Sequence, residues 1–185
     1  MDNSVAFKRD NLTILGKKFV PFIRSKEITK RIKFIAKEIR NDYKGKIPVF
    51  VVILKGAIFF AAELLKNINI PLRVETLKAK SYGNSMQSSG KVDLFVTGED
   101  FAGKDLIIVE DIIDTGLTIS TIIDKLSSYK PNSLEIATLL MKPKNLRCDL
   151  RVKYCGFEIP EKFVIGYGLD FAEFGRNLKD IYILE

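Results

Sequence analysis

Apolar residues recur along this chain with two different periods, and the alternation between them outlines an α/β domain. From Ser25 to Tyr43, Ile28, Ile32, Ile35 and Ile39 return every three or four residues, which places them on one stripe of a helix, with Ser25 suited to cap it and Gly45 beyond its end. Val49-Phe50-Val51-Val52-Ile53-Leu54 is instead an unbroken apolar run rich in β-branched residues, the pattern of a strand covered on both faces within a parallel sheet. Ala57 to Lys66 reads as a helix, Leu72 to Lys78 as a strand, Leu106 to Val109 as a second buried strand and Ile119 to Tyr129 as a helix. Further strands are expected at Leu134 to Met141, Phe163 to Gly168 and Ile181 to Leu184. Strands alternating with helices at these lengths predict right-handed βαβ units and a mainly parallel sheet. At 185 residues the chain is expected to form one domain, 1–185.

One segment has neither period. Ser81 to Gly90 is small, polar and glycine-containing, with too little apolar surface to anchor itself. It predicts a loop between hairpin strands, and a loop of this kind can close over a substrate.

Composition narrows the chemistry. The chain is 46% hydrophobic with a formal charge of +7, a field that suits an anionic partner, either nucleic acid or a small phosphorylated molecule. The basic residues are dispersed, with short groups at Lys17-Lys18, Lys142 to Lys144 and Arg147 to Lys153, so no nucleic-acid arm is expected. No stretch approaches the roughly 20 apolar residues of a membrane span, and Met1 to Val5 lack a secretion-signal layout, which predicts a cytoplasmic protein without membrane contact. Cys148 and Cys155 are spaced for neither a zinc knuckle nor a redox pair and are expected to be inert packing residues. Histidine is absent, so proton transfer falls to carboxylate, lysine or tyrosine.

The segment Glu110-Asp111-Ile112-Ile113-Asp114-Thr115-Gly116-Leu117-Thr118 follows a buried strand and precedes a helix. Ligands of open α/β sheets bind at such strand ends, where the first helical turn offers unpaired amides and a glycine admits a close approach. The amides of Thr115, Gly116, Leu117 and Thr118, with two threonine hydroxyls, can cradle a phosphate monoester. Glu110, Asp111 and Asp114 are unfavourable beside a phosphate unless sugar hydroxyls or a magnesium ion offset them. Taken alone, the same residues fit a capped helix with exposed acids equally well.

Ile107 to Thr118 resembles the phosphoribosyl-diphosphate signature of the purine phosphoribosyltransferases, specifically hypoxanthine-guanine enzymes of the bacterial type. Leu54-Lys55-Gly56 is similar to that family's diphosphate loop, Lys80-Ser81-Tyr82-Gly83-Asn84 to its lid, and Lys142 with Phe163-Val164 to its base pocket. Asp170 and Arg176 complete the set in family order, over about Phe50 to the C-terminus. Ala57 and Leu117 depart from residues often found in the family. The resemblance implies a single-domain type I phosphoribosyltransferase fold, mainly parallel with flanking helices, a small hood and a flexible lid holding Ser81 and Tyr82. It implies that Glu110 and Asp111 hold the ribose hydroxyls, that Asp114 to Thr118 hold the 5'-phosphate, and that Lys55, Gly56 and Arg176 meet diphosphate. It further implies that Lys142 donates to the purine oxygen, Phe163 stacks, the Val164 backbone pairs with the base, and Glu110, Asp111 and Asp170 serve magnesium. A non-proline cis peptide at Leu54-Lys55 is expected on the same ground.

The implied reaction is Mg2+-dependent transfer of a phosphoribosyl group from phosphoribosyl diphosphate to hypoxanthine or guanine, giving IMP or GMP in purine salvage, with Asp114 as general base. The implied assembly is a homodimer or homotetramer. Two alternatives stand beside it: a regulator of the same fold binding nucleotides and RNA or DNA, and an enzyme preferring xanthine.

Overall fold

The computed structural model describes residues 5–8, 11–81, 92–96 and 101–185. Its centre is a six-stranded sheet built from β4 (Val49–Leu54), β5 (Arg73–Ser81), β6 (Val92–Val96), β7 (Asp105–Ile113), β8 (Ser133–Met141) and β9 (Tyr154–Glu158), in the order β6-β5-β4-β7-β8-β9. All neighbours are parallel except β5 and β6, which pair antiparallel as hairpin strands. Tyr82 to Gly90, most of the expected lid, lie outside the described residues; Ser81 is the last residue of β5.

The unbroken apolar strands are apolar on both sides because both sides are covered. Phe50 and Val52 of β4, with Ile107 and Val109 of β7, pack under α1 (Ser25–Asp42) and α2 (Ile58–Lys66). The alternate residues Val49, Val51, Ile53, Leu106 and Ile108 pack under α3 (Leu117–Ser127). On α1 the expected stripe is buried throughout, Ile28, Ile32, Ile35 and Ile39 together with Ala36, and each large side chain contributes about 1.5–3 kcal/mol relative to exposure. The cap differs from expectation. Ser25 is the first helical residue, and its amide is taken by the Asp180 carboxylate at 2.7 Å while Glu27 accepts from the Arg24 amide at 3.0 Å.

A second, antiparallel sheet was not legible in the periodicity. It joins β1 (Val5–Lys8), β2 (Asn11–Ile14) and β3 (Lys17–Ile23) to β11 (Ile181–Leu184) and β10 (Val164–Ile165), in the order β1-β2-β3-β11-β10, and encloses Leu12, Ile14, Phe19, Ile165 and Tyr182. Two boundaries also shift. β7 runs on to Ile113, so Glu110 and Asp111 belong to the strand, and the strand expected over Phe163 to Gly168 is only Val164–Ile165 because the backbone turns at Gly166, Tyr167 and Gly168, all with positive φ. Among the described residues no helix is long and apolar enough to cross a membrane.

Candidate active site

β7 ends in the turn that the motif predicts. Gly116 has φ of 80° and begins α3, which starts at Leu117 rather than Ile119. A side chain there is excluded twice, by the left-handed backbone and by Cys148, whose sulfur would lie 2.7 Å from an added Cβ. The Ser120 amide bonds back to the Gly116 carbonyl at 2.9 Å. Thr115, Gly116 and Thr118 line a cleft of about 950 Å³, whose other walls include Leu54, Gly56, Glu110, Asp114, Lys142 and Phe163. Leu117, the first residue of α3, is not among the residues that line this cleft.

At the top of the cleft the ends of β7 and β8 are tied together. Lys142 Nζ donates to Asp114 Oδ2 at 2.7 Å, and the lysine side chain is only 6% exposed against 46% for the aspartate. The Lys142 amide also bonds the Ile113 carbonyl at 2.9 Å. Phe163 faces the same cleft, set edge-on against Phe171 with ring centres 5.7 Å apart. Leu184 donates to the Phe163 carbonyl at 2.9 Å, so the next pair, Val164 with Ile183, is the non-hydrogen-bonded one. β10 is an outer strand. The Val164 amide and carbonyl are consequently turned away from β11, to the outer side of β10.

Glu110 and Asp111 sit lower on β7 as a crowded acidic pair. Burial, then the other's charge, pushes Glu110 well above the usual carboxylate range, and burial likewise raises Asp111. Glu110 Oε2 is buried with no partner, while Asp111 Oδ1 accepts the Ile112 amide at 2.9 Å. A pair of buried carboxylates, with Arg176 as the one cation acting on Asp111, fits a hard divalent ion, and magnesium characteristically takes one or two protein carboxylates with the rest from substrate and water. Among the described residues no group of three or more metal-type side chains converges, so Asp170 does not join Glu110 and Asp111.

Asp170 belongs to a neighbouring cluster. Its Oδ1 is paired with Arg176 Nη2 at 2.6 Å and its Oδ2 accepts the Glu173 amide at 2.8 Å. Glu173 also meets Lys55 at 3.2 Å and Arg176 at 3.5 Å. The cluster is brought to the cleft by backbone contact: a Cβ on Gly168 would lie 2.1 Å from the Gly56 carbonyl, and one on Gly56 would lie 1.8 Å from Asp111 Oδ2. Only glycine fits at either position. The Leu54-Lys55 peptide is cis, as the resemblance implied.

The family model for the phosphoribosyl transferase domain matches residues 24–172. The chain belongs to the phosphoribosyltransferase family. The hypoxanthine-guanine phosphoribosyltransferase of Aquifex aeolicus is 40% identical over 174 residues, 93% of this chain and 98% of that protein, and the Bacillus subtilis protein of the same name is 40% identical over 164 residues, 88% and 91%. A solved hypoxanthine-guanine phosphoribosyltransferase from Bacillus anthracis superposes with a TM-score of 0.84 at 38% identity, covering 89% of this chain and 98% of that one.

Within this phosphoribosyltransferase, most of the expected site residues fall into two groups. Gly56, Glu110, Asp114, Thr115, Gly116, Thr118, Lys142 and Phe163 line one cleft, Lys55, Asp170 and Arg176 share the adjacent ionic cluster, and Asp111, Leu117 and Val164 belong to neither group. The Ser81 side chain and all of Tyr82 lie outside the described residues. Two site residues were missed. Asn145 donates to Asp114 Oδ1 at 2.7 Å, and Glu173 occupies both cations expected for diphosphate. Neither carries a local signal; an acid between Asp170 and Arg176 was the only hint. The inert reading of Cys155 agrees with a thiol that burial pushes up to about 11.

Proposed function

We propose that this phosphoribosyltransferase, a purine-salvage enzyme, transfers the phosphoribosyl group of phosphoribosyl diphosphate to hypoxanthine or guanine with magnesium, in the cytoplasm. The observation that carries the reading is the Lys142–Asp114 pair, closed at 2.7 Å in the same cleft as the Thr115 to Thr118 turn. One end of the cleft thus suits a phosphate monoester and the other a 6-oxopurine. Phe163 supplies a face for the ring, the Val164 backbone an edge to pair with it, and Lys142 a donor for its oxygen.

In the reaction a ring nitrogen of the purine bonds to the anomeric carbon as the bond to diphosphate breaks, and the departing electron pair stays on diphosphate. Asp114 receives the proton of the purine ring. Lys55 and Arg176 meet the charge that develops on the leaving group. Glu110 and Asp111 hold the ribose hydroxyls, and a magnesium ion held there would supply further positive charge to the leaving diphosphate. A homodimer or homotetramer is part of the same proposal, because Ile58, Phe59 and Phe174 leave large apolar side chains exposed beside the ionic cluster.

Incubating the chain with phosphoribosyl diphosphate, magnesium and hypoxanthine, guanine or xanthine, while following ultraviolet absorbance, tests the reaction. Nucleotide is expected from hypoxanthine and guanine. Its absence with both bases would end the proposal, and light scattering after size exclusion reads the assembly.

A further inference from the structure

Asp114 is almost half exposed, at 46%, yet its carboxylate is gripped from both sides: Lys142 Nζ reaches Oδ2 at 2.7 Å and Asn145 Nδ2 reaches Oδ1 at 2.7 Å. An ionised carboxylate only accepts, so the Asn145 amide must present its NH2 to it. A side chain this open would otherwise rotate about its broad terminal torsion. Two short charge-assisted bonds fix the plane instead.

The two grips are unequal in what else they do. In the function proposed above, Lys142 has a second acceptor to serve, the purine oxygen. Asn145 has none. It stands at the end of a short 3-10 turn, Pro143–Asn145, whose start is fixed by proline and whose Asn145 amide bonds the Lys142 carbonyl at 3.0 Å. Two residues on, the Arg147 amide bonds the Thr115 carbonyl at 2.9 Å, which ties this turn to the phosphate-binding one. Asn145 is therefore anchored at both ends, lines the cleft, and spends its side chain on a reacting group.

We infer that Asn145 is a positioning residue for the transfer reaction, holding the Asp114 carboxylate plane in place when Lys142 turns to the purine. Each oxygen of the carboxylate keeps a further lone pair, so Asp114 accepts the purine proton while Asn145 stays bound. The inference rests on the proposed role of Asp114, and its test separates the two.

The test is a double-mutant cycle on the full chain, reading kcat, KM for phosphoribosyl diphosphate and melting temperature for wild type, Asn145→Ala, Asp114→Asn and Asp114→Asn/Asn145→Ala. Loss of a bond to a charged group predicts a kcat lower by roughly ten- to a hundredfold in Asn145→Ala, with KM for phosphoribosyl diphosphate unchanged. In the Asp114→Asn background the second change should then cost nothing further. Equal loss in both backgrounds, a rise in KM without loss of kcat, or a wild-type kcat would overturn the inference. Full turnover by Asp114→Asn alone would instead remove the base assignment, and that result is read with Asn145 intact. Should Asn145→Ala melt early, Asn145→Asp, equal in size, carries the same cycle; a larger kcat loss is expected because it sets a second negative charge beside Asp114, and a wild-type kcat would again overturn the inference.

Discussion

Gly56→Ala is the sharpest test of how the turn after β4, proposed to meet diphosphate, fits against the β7 acids proposed to hold ribose. The added Cβ would stand 1.8 Å from Asp111 Oδ2, against a floor of 3.0 Å for real contacts, so the two must separate by about 1.2 Å. Neither has room to yield. Asp111 is 7% exposed and bonded to the Ile112 amide, while the Gly56 carbonyl lies close under Gly168. A misplacement of about 1 Å among positioning groups can cost roughly a hundredfold in rate, and overpacking of this kind costs about 1–3 kcal/mol of stability. Initial rates at saturating purine should therefore show kcat/KM for phosphoribosyl diphosphate reduced by about a hundredfold, with a melting temperature lower by several degrees. Binding of a nucleoside monophosphate through the Thr115 to Thr118 turn should suffer less. If kcat/KM stays within about twofold of wild type, whatever the melting temperature does, Asp111 is not held where the reaction needs it by this contact, and the reasoning fails.

Lys142→Ala should weaken 6-oxopurine binding by about 1–3 kcal/mol in a titration monitored by fluorescence or calorimetry, and unchanged purine affinity would refute the contact. For Glu110, burial and Asp111 raise its proton affinity, so the folded chain keeps protons that the unfolded chain has released, and the pair's contribution to stability falls as pH rises from the ordinary carboxylate range through the raised values. Without metal or nucleotide, Glu110→Gln should melt a few degrees above wild type near pH 8, with the gap closing near pH 4, about where free carboxylates protonate; a gap independent of pH would count against this account. Glu173→Gln releases Lys55, while Arg176 keeps its pairing with Asp170, and should lower KM for phosphoribosyl diphosphate by about two- to fivefold at low ionic strength, a gain that fades in about 0.5 M salt because the Lys55–Glu173 pair is exposed. A raised KM would show that Glu173 aids binding.

Local patterning determined much of this protein on its own. The isoleucine stripe of α1, the two-faced apolar runs of β4 and β7, and the glycine turn before α3 are each encoded within a few consecutive residues, where side-chain period and glycine's backbone freedom act directly. The resemblance added the roles, and the structure gathers those residues into a cleft and an adjoining cluster.

Tertiary structure decided the rest, because the relevant partners are far apart in sequence. The second sheet pairs β3 with β11 across nearly the whole chain, and Pro21 inside β3 disguises it; the proline is tolerated where the register shifts opposite Ile181 and Tyr182. Asp114 and Asn145 meet only because β7 and β8 lie side by side and end together, and Lys55 meets Glu173 across 118 positions only because Gly56 and Gly168 let two backbones touch. Periodicity reports which face of an element is buried, but which charged groups converge at its end depends on the packing of elements against each other. For that reason the acids, the lysine and the turn were legible one by one in the sequence, whereas the grip of Asn145 and the counter-charge of Glu173 became visible only in the folded chain.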